Sequence, residues 1–76
     1  MDRHRFTADH KNLRFFVELL VSGWFAGVYD LDAQQWLWTE TVPDPEQGKR
    51  LILERLDIDP QNITWNEYQP LPTPEN

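Results

Sequence analysis

The chain has 76 residues, a formal net charge of −6 and no cysteine. This length supports one domain at most, because a chain of this size buries only about 60% of the surface that its unfolded form exposes. The lack of cysteine excludes disulfides, thiolate metal sites and a cysteine nucleophile; since small secreted domains usually need disulfides, we expect a cytoplasmic protein. No apolar run approaches the length of a membrane-spanning helix, which needs about 20 residues.

The negative charge is unevenly placed along the chain. Four of the seven Lys and Arg side chains fall within the first 14 residues, so the remainder is strongly acidic. An acidic domain repels phosphate backbones and anionic lipid surfaces. We therefore expect no direct binding of nucleic acid or of a membrane, and we expect a partner protein with a basic surface.

The N-terminal third combines a polar start with an apolar segment. Residues 1–11 are polar apart from Phe6, and we expect them to form a flexible arm. In residues 12–22 every second side chain is large and apolar, which favours a strand. Helical spacing of other apolar side chains in the same segment favours a helix ending near Gly23, and periodicity alone leaves both structures open.

Residues 24–42 predict an aromatic β-hairpin. Two aromatic-rich runs flank a polar break, and bulky flat side chains cover a pleated surface well. We expect the turn within residues 31–35. Strict alternation along the second strand predicts that Trp36, Trp38 and Val42 share one face.

Gly27 lies in the middle of the first strand of this hairpin. A glycine in a strand leaves an open place on the sheet, which indicates a bulge or the close approach of a neighbouring group. The sequence therefore predicts either a bulge at Gly27 or the close approach of an aromatic ring from the adjacent strand.

The next segment carries the signals of a helix start. Asp44 can accept hydrogen bonds from the first free amides, Pro45 suits the first helical position, and Glu46 favours the positive end of the helix dipole. We expect the helix to continue to Leu56. Its apolar stripe needs a cover, so the helix is expected to lie across the sheet.

The chain ends in a short alternating segment and a proline-rich tail. Residues 63–68 alternate well enough for a final strand, and residues 69–76 contain three prolines and predict a disordered tail. The expected domain therefore covers residues 12–68. Its expected fold class is α+β, a small antiparallel sheet of three to four strands with one helix on one face, in the order β-β-β-α-β. A helix over residues 12–22 would give α-β-β-α-β.

The residues that carry chemistry do not form a catalytic pattern. Both histidines, His4 and His10, lie in the expected arm, and the one serine has no base near it in sequence. The Asp30/Asp32 pair falls in the expected turn, where aspartate commonly bonds its own backbone. We therefore expect a protein that is not an enzyme and that uses no metal or cofactor.

The aromatic excess favours a function in protein binding. One helix cannot cover both faces of the hairpin, so some rings should remain on the uncovered face as anchors for a partner, inside an acidic rim. The expected binding residues are Trp24, Tyr29, Asp30, Asp32, Trp36, Trp38 and Glu40. An exposed sheet edge would also permit a homodimer. The alternative function is an acidic inhibitor or immunity-type protein that imitates nucleic acid toward a nuclease or regulator.

Overall fold

Residues 4–68 are described by a computed structural model, in which one helix covers one face of a five-stranded antiparallel sheet. The strands are β1 (Arg5–His10), β2 (Leu13–Leu20), β3 (Gly23–Asp30), β4 (Gln35–Val42) and β5 (Asn66–Tyr68). Helix α1 spans Pro45–Leu56, and a short 3₁₀ helix follows at Pro60–Asn62. The strand order across the sheet is β4-β3-β2-β1-β5.

Short turns connect the first four strands into a meander. Lys11 has φ 56° in the turn between β1 and β2, and Gly23 has φ 121° at the start of β3. Glycine adopts such an angle without a steric penalty, which explains the Ser-Gly pair at this turn. In the third turn the Asp30 side chain accepts hydrogen bonds from the amides of Asp32 and Ala33, at 2.9 and 3.0 Å.

The hydrophobic core lies between the sheet and α1. The two central strands supply four side chains with no solvent exposure, Phe15, Val17, Ala26 and Val28. From the helix, Ile52 is fully buried and Leu53 nearly so. Helix and sheet approach closely at Gly48, where a Cβ atom would lie 3.0 Å from Val17 Cγ1. The glycine that weakens α1 as an isolated helix therefore permits its close packing.

The α+β class and the single covering helix are confirmed, whereas the strand count and order differ from the prediction. Residues 12–22 contain a strand, not a helix. The observed order is β-β-β-β-α-β, because residues 5–10 form β1 in the segment that was expected to be an arm. Phe6 and Ala8 on β1 face Val17 and Phe15 on β2 and are buried.

The helix start and its end have different physical causes. As predicted, the Asp44 side chain accepts a hydrogen bond from the Gln47 amide at 2.9 Å, and Pro45 is the first helical residue. The helix ends at Asp57, which adopts a left-handed conformation with φ 56°.

Across residues 4–68, no helix combines the length and the apolar character needed to cross a membrane. The proline-rich tail predicted at residues 69–76 lies outside the described residues.

Candidate functional site

Four aromatic side chains form a cluster on the sheet face opposite α1, which we call the open face. The ring centroid of Trp36 lies 5.2 Å from those of Phe16 and Tyr29 and 6.1 Å from that of Phe25. These spacings are typical of aromatic pairs that attract one another. Trp36 is 45% exposed, and the other three rings are half-buried around it. We call this cluster the aromatic patch: Phe16, Phe25, Tyr29 and Trp36.

A β-bulge in β4 directs Trp36 to the open face. Along most of the β3/β4 ladder the pairing is regular, with Val28 opposite Trp38, but the next pair is Tyr29 opposite Trp36. Leu37 is therefore one extra residue, and an extra residue inverts the alternation beyond it. The expectation that Trp36, Trp38 and Val42 share a face is wrong for Trp36, because that inference assumed an unbroken strand.

Gly27 makes room for the Trp36 ring, which is one of the two alternatives that the sequence left open. A Cβ atom at position 27 would lie 2.9 Å from Trp36 Cζ3, closer than such atoms approach, and 3.0 Å from Thr39 Cγ2, tighter than most such contacts. The indole therefore rests on bare backbone at the centre of β3. This contact fixes the ring while leaving its outer surface in solvent.

The expected site residues Trp24, Trp38 and Glu40 lie on the α1 side of the sheet. The Trp24 ring packs 6.1 Å from that of Phe6. The Arg55 guanidinium lies 4.4 Å above the Trp38 ring and donates a 3.0 Å hydrogen bond to Glu40. The side chains of these three residues therefore lie on the opposite face from the aromatic patch, and Arg55 of α1 binds two of them.

Asp30 and Asp32 belong to the turn between β3 and β4. Besides the two backbone amides of the turn, the Asp30 carboxylate accepts a 3.2 Å hydrogen bond from Asn12. Asp30 thus joins two neighbouring turns, which is the turn-making role that its position predicted. The Asp32 side chain is exposed at the end of the sheet.

Of the predicted site residues, the structure brings together Tyr29 and Trp36, and it adds two rings to them. Phe25 belongs to the hairpin and faces the same way as Tyr29. Phe16 was not predicted to contribute to the site, because only the buried alternate positions of β2 were considered. The signal was present in the sequence, since a phenylalanine at the opposite phase of a buried strand must lie on the other face.

The rest of the open face carries balanced charge. Arg5 pairs across strands with Glu18, and Arg14 pairs with Asp9 at 2.7 Å between Nε and Oδ1. The hydrogen bond from Arg14 lowers the pKa of Asp9, with the positive charge of Arg14 acting in the same direction. Glu18 lies opposite Phe25 and is 7% exposed. On this flank the rings therefore adjoin the Arg14–Asp9 ion pair, whose charges cancel.

A second hollow lies between α1 and the segment that follows it. Leu53, Ile58 and Trp65 line its apolar part, and charged side chains of α1 surround it. The Lys49 ammonium lies 3.9 Å from the Phe6 ring centroid and 3.5 Å from Glu46, so partners within the chain hold this cation. Within residues 4–68, no group of three or more His, Cys, Asp or Glu side chains is placed to hold a metal ion.

Comparison of the chain with models of known protein families, with curated proteins and with solved structures gives no significant match.

Proposed function

We propose that this chain is a non-enzymatic protein-binding module and that its aromatic patch is the docking surface. The observation that supports this proposal is Trp36, an indole that is 45% exposed yet fixed by three neighbouring rings and by Gly27. Tryptophan and tyrosine are the usual anchors of protein interfaces, since they bury much area for little loss of side-chain entropy. A fixed ring keeps that advantage because its rotamer is set before binding.

The surroundings of the patch define the chemistry of the partner. Leu20, Thr39 and Thr41 extend the patch into a shallow depression beside Phe25 and Trp36. On the other flank lie Arg14 and Asp9, a pair of opposite charges. We propose a partner with an apolar or aromatic group that enters the depression, and with basic groups at the margin that reach the carboxylates of Asp30 and Asp32 in the turn between β3 and β4.

Partner capture by Trp36→Ala tests this function. Wild-type protein and variant are immobilised and exposed to extract of the source cell, and bound proteins are compared by mass spectrometry. We expect Trp36→Ala to capture at least tenfold less of the partner than the wild type does, because truncation of an interface anchor costs about 2 kcal/mol or more of binding free energy. Urea denaturation must show that the variant is folded.

Tyr68→Ala is the matched control for this experiment. Tyr68 is a large aromatic residue, 53% exposed on the distant strand β5, where the Arg5 guanidinium lies 5.3 Å from its ring. We expect Tyr68→Ala to capture the same partner as the wild type. Equal capture by a folded Trp36→Ala variant would remove the aromatic patch as the docking surface.

The acidic-mimic alternative stays a prediction. It requires acidic groups on a continuous surface, spaced like phosphates. Arg55 bonds to Glu40 at 3.0 Å and Lys49 to Glu46 at 3.5 Å, so positive charge lies among the acids of the α1 side. These ion pairs favour the protein-binding function over the mimic.

A further inference from the structure

Strand β4 presents a long free edge. It lies at one end of the strand order and spans eight residues, whereas β5 at the opposite end spans three. A free edge exposes backbone N–H and C=O groups that can pair with another strand. Short length protects the β5 edge, and β4 lacks that protection.

Two residue types that block edge pairing are also missing from β4. Natural edge strands commonly carry lysine or proline, and Gln35–Val42 contains neither. The bulge at Leu37 affects only its first part, while residues 38–42 pair regularly with β3. Leu37 is 47% exposed on this strand. The edge therefore combines free hydrogen-bonding groups with exposed apolar surface.

The charge of β4 is compensated from within the chain. Glu40 is its single charged residue, and Arg55 both bonds to Glu40 at 3.0 Å and lies 4.4 Å above the Trp38 ring. A net acidic protein would repel its own copy through uncompensated carboxylates. At this edge Arg55 supplies the opposite charge, so two copies can approach.

We propose that β4 pairs antiparallel with β4 of a second copy, with Thr39 at the two-fold axis. An axis at Glu40 would set two carboxylates opposite each other, which destabilises a cross-strand pair. An axis at Thr39 sets Glu40 opposite Trp38 of the second copy, where that copy's Arg55 lies. Each guanidinium then adjoins a carboxylate from both copies.

This pairing has a defined geometric result. An antiparallel two-fold axis between edge strands runs perpendicular to the sheet, so corresponding faces of both copies lie on the same side. The dimer is a continuous ten-stranded sheet, twice the strand count of one copy. Both helices cover one side of it and both aromatic patches lie on the other.

A disulfide test exploits the absence of native cysteine. Thr39→Cys places one thiol per copy at the proposed axis, where directly opposed Cβ atoms lie about 4.5–5.5 Å apart. Mild oxidation at low micromolar concentration should give a covalent dimer at least tenfold faster than Ser22→Cys, an exposed position in the turn between β2 and β3. Equal rates for the two variants would overturn the proposed register.

A charge-swap experiment tests the association without covalent chemistry. Sedimentation should show a dimer for the wild type and a monomer for Thr39→Lys, whose two lysines would face each other at the axis. An equal mixture of Thr39→Lys and Thr39→Glu should restore a dimer that native mass spectrometry identifies as mixed. We expect a dimer Kd of about 5 μM or lower. A wild-type protein that stays monomeric at 0.5 mM, about a hundredfold above this Kd, would overturn the proposal. Partner capture by the aromatic patch is measured separately, so the two proposals can fail independently.

Discussion

The contact between Trp36 and Gly27 shows how one small residue determines a surface. The backbone at position 27 lies under the indole, and the Cβ atom of any side chain there would lie 2.9 Å from Cζ3 of Trp36. Because the neighbouring strand holds the ring over this glycine, Trp36 can be both ordered and exposed. The arrangement gives a direct test at the residue scale.

We expect Gly27→Val to lower the free energy of unfolding by about 2 kcal/mol, since overpacking a filled place typically costs about 1–3 kcal/mol. Urea denaturation measures the change. In a Trp36→Ala background the same substitution should cost less than half as much, because the clashing ring is gone. An undiminished cost in that background would show that the ring does not fill this place.

The ion pair between Arg14 and Asp9 makes a second prediction, concerning pH. Arg14 lowers the pKa of Asp9 chiefly by a hydrogen bond to the carboxylate. A pKa that is lower in the folded state adds stability above the unfolded pKa, about 3.9, and this stability disappears as the pH falls through the folded value. Arg14→Gln should therefore reduce stability at neutral pH and much less in acid.

A carboxyl-detected NMR titration provides the measurement for this ion pair. The pKa of Asp9 should lie below the ordinary aspartate value in the wild type and rise toward it in Arg14→Gln. Both side chains are substantially exposed, so the change in stability should be small. An unchanged Asp9 pKa in the variant would contradict the assignment to Arg14.

At the scale of elements, the sequence predicted well those features that depend on neighbouring residues. It did not predict those that depend on contacts between distant segments. Asp44 and Pro45 define the start of α1 through contacts within a few residues, so their types suffice to locate it. Strand β1 depends on Phe6 and Ala8 meeting β2, and two apolar residues in a polar segment carry too weak a pattern. From the sequence, Gly48 predicted only a weaker helix. Its close approach to Val17 depends on how α1 packs on the sheet, which the sequence pattern does not contain.

The helix cap makes a prediction at this scale. Asp44→Ala removes the acceptor for the Gln47 amide at 2.9 Å and should lower the free energy of unfolding by about 1 kcal/mol. Asp44→Ser keeps an oxygen that can accept this hydrogen bond, and it should retain most of the stability. Thermal or urea unfolding of the two variants provides the measurement. Equal losses would point to the charge of Asp44, not to its hydrogen bond.

At the scale of the molecule, the sheet is protected unequally from solvent. Strands β2 and β3 have a neighbour on each side and contribute the fully buried core side chains. Strand β5 has three residues, all of them exposed. Protection against local opening follows the number of buried contacts and paired neighbours. The sequence could predict that one face stays uncovered, yet not that Trp36 lies opposite Trp38 in facing, because the bulge that causes this has no local signature.

Hydrogen exchange measures this gradient. We expect the slowest amide exchange in β2 and β3 and the fastest in β5, with the outer edge of β4 also fast in dilute solution. Raising the protein concentration should slow β4 selectively if two copies pair there. Slower exchange in β5 than in β2 would contradict the packing described for this sheet.

The extra residue at Leu37 has a consequence for how such a surface arises. An unbroken strand that kept Leu37 would set this residue opposite Tyr29 and carry the indole of residue 36 to the side of the sheet that α1 covers. Deletion of Leu37 would instead make Trp36 the immediate neighbour of Trp38, and regular alternation would then keep the indole above Gly27. The bulge thus allows the chain to carry one additional amino acid here while the ring stays in solvent.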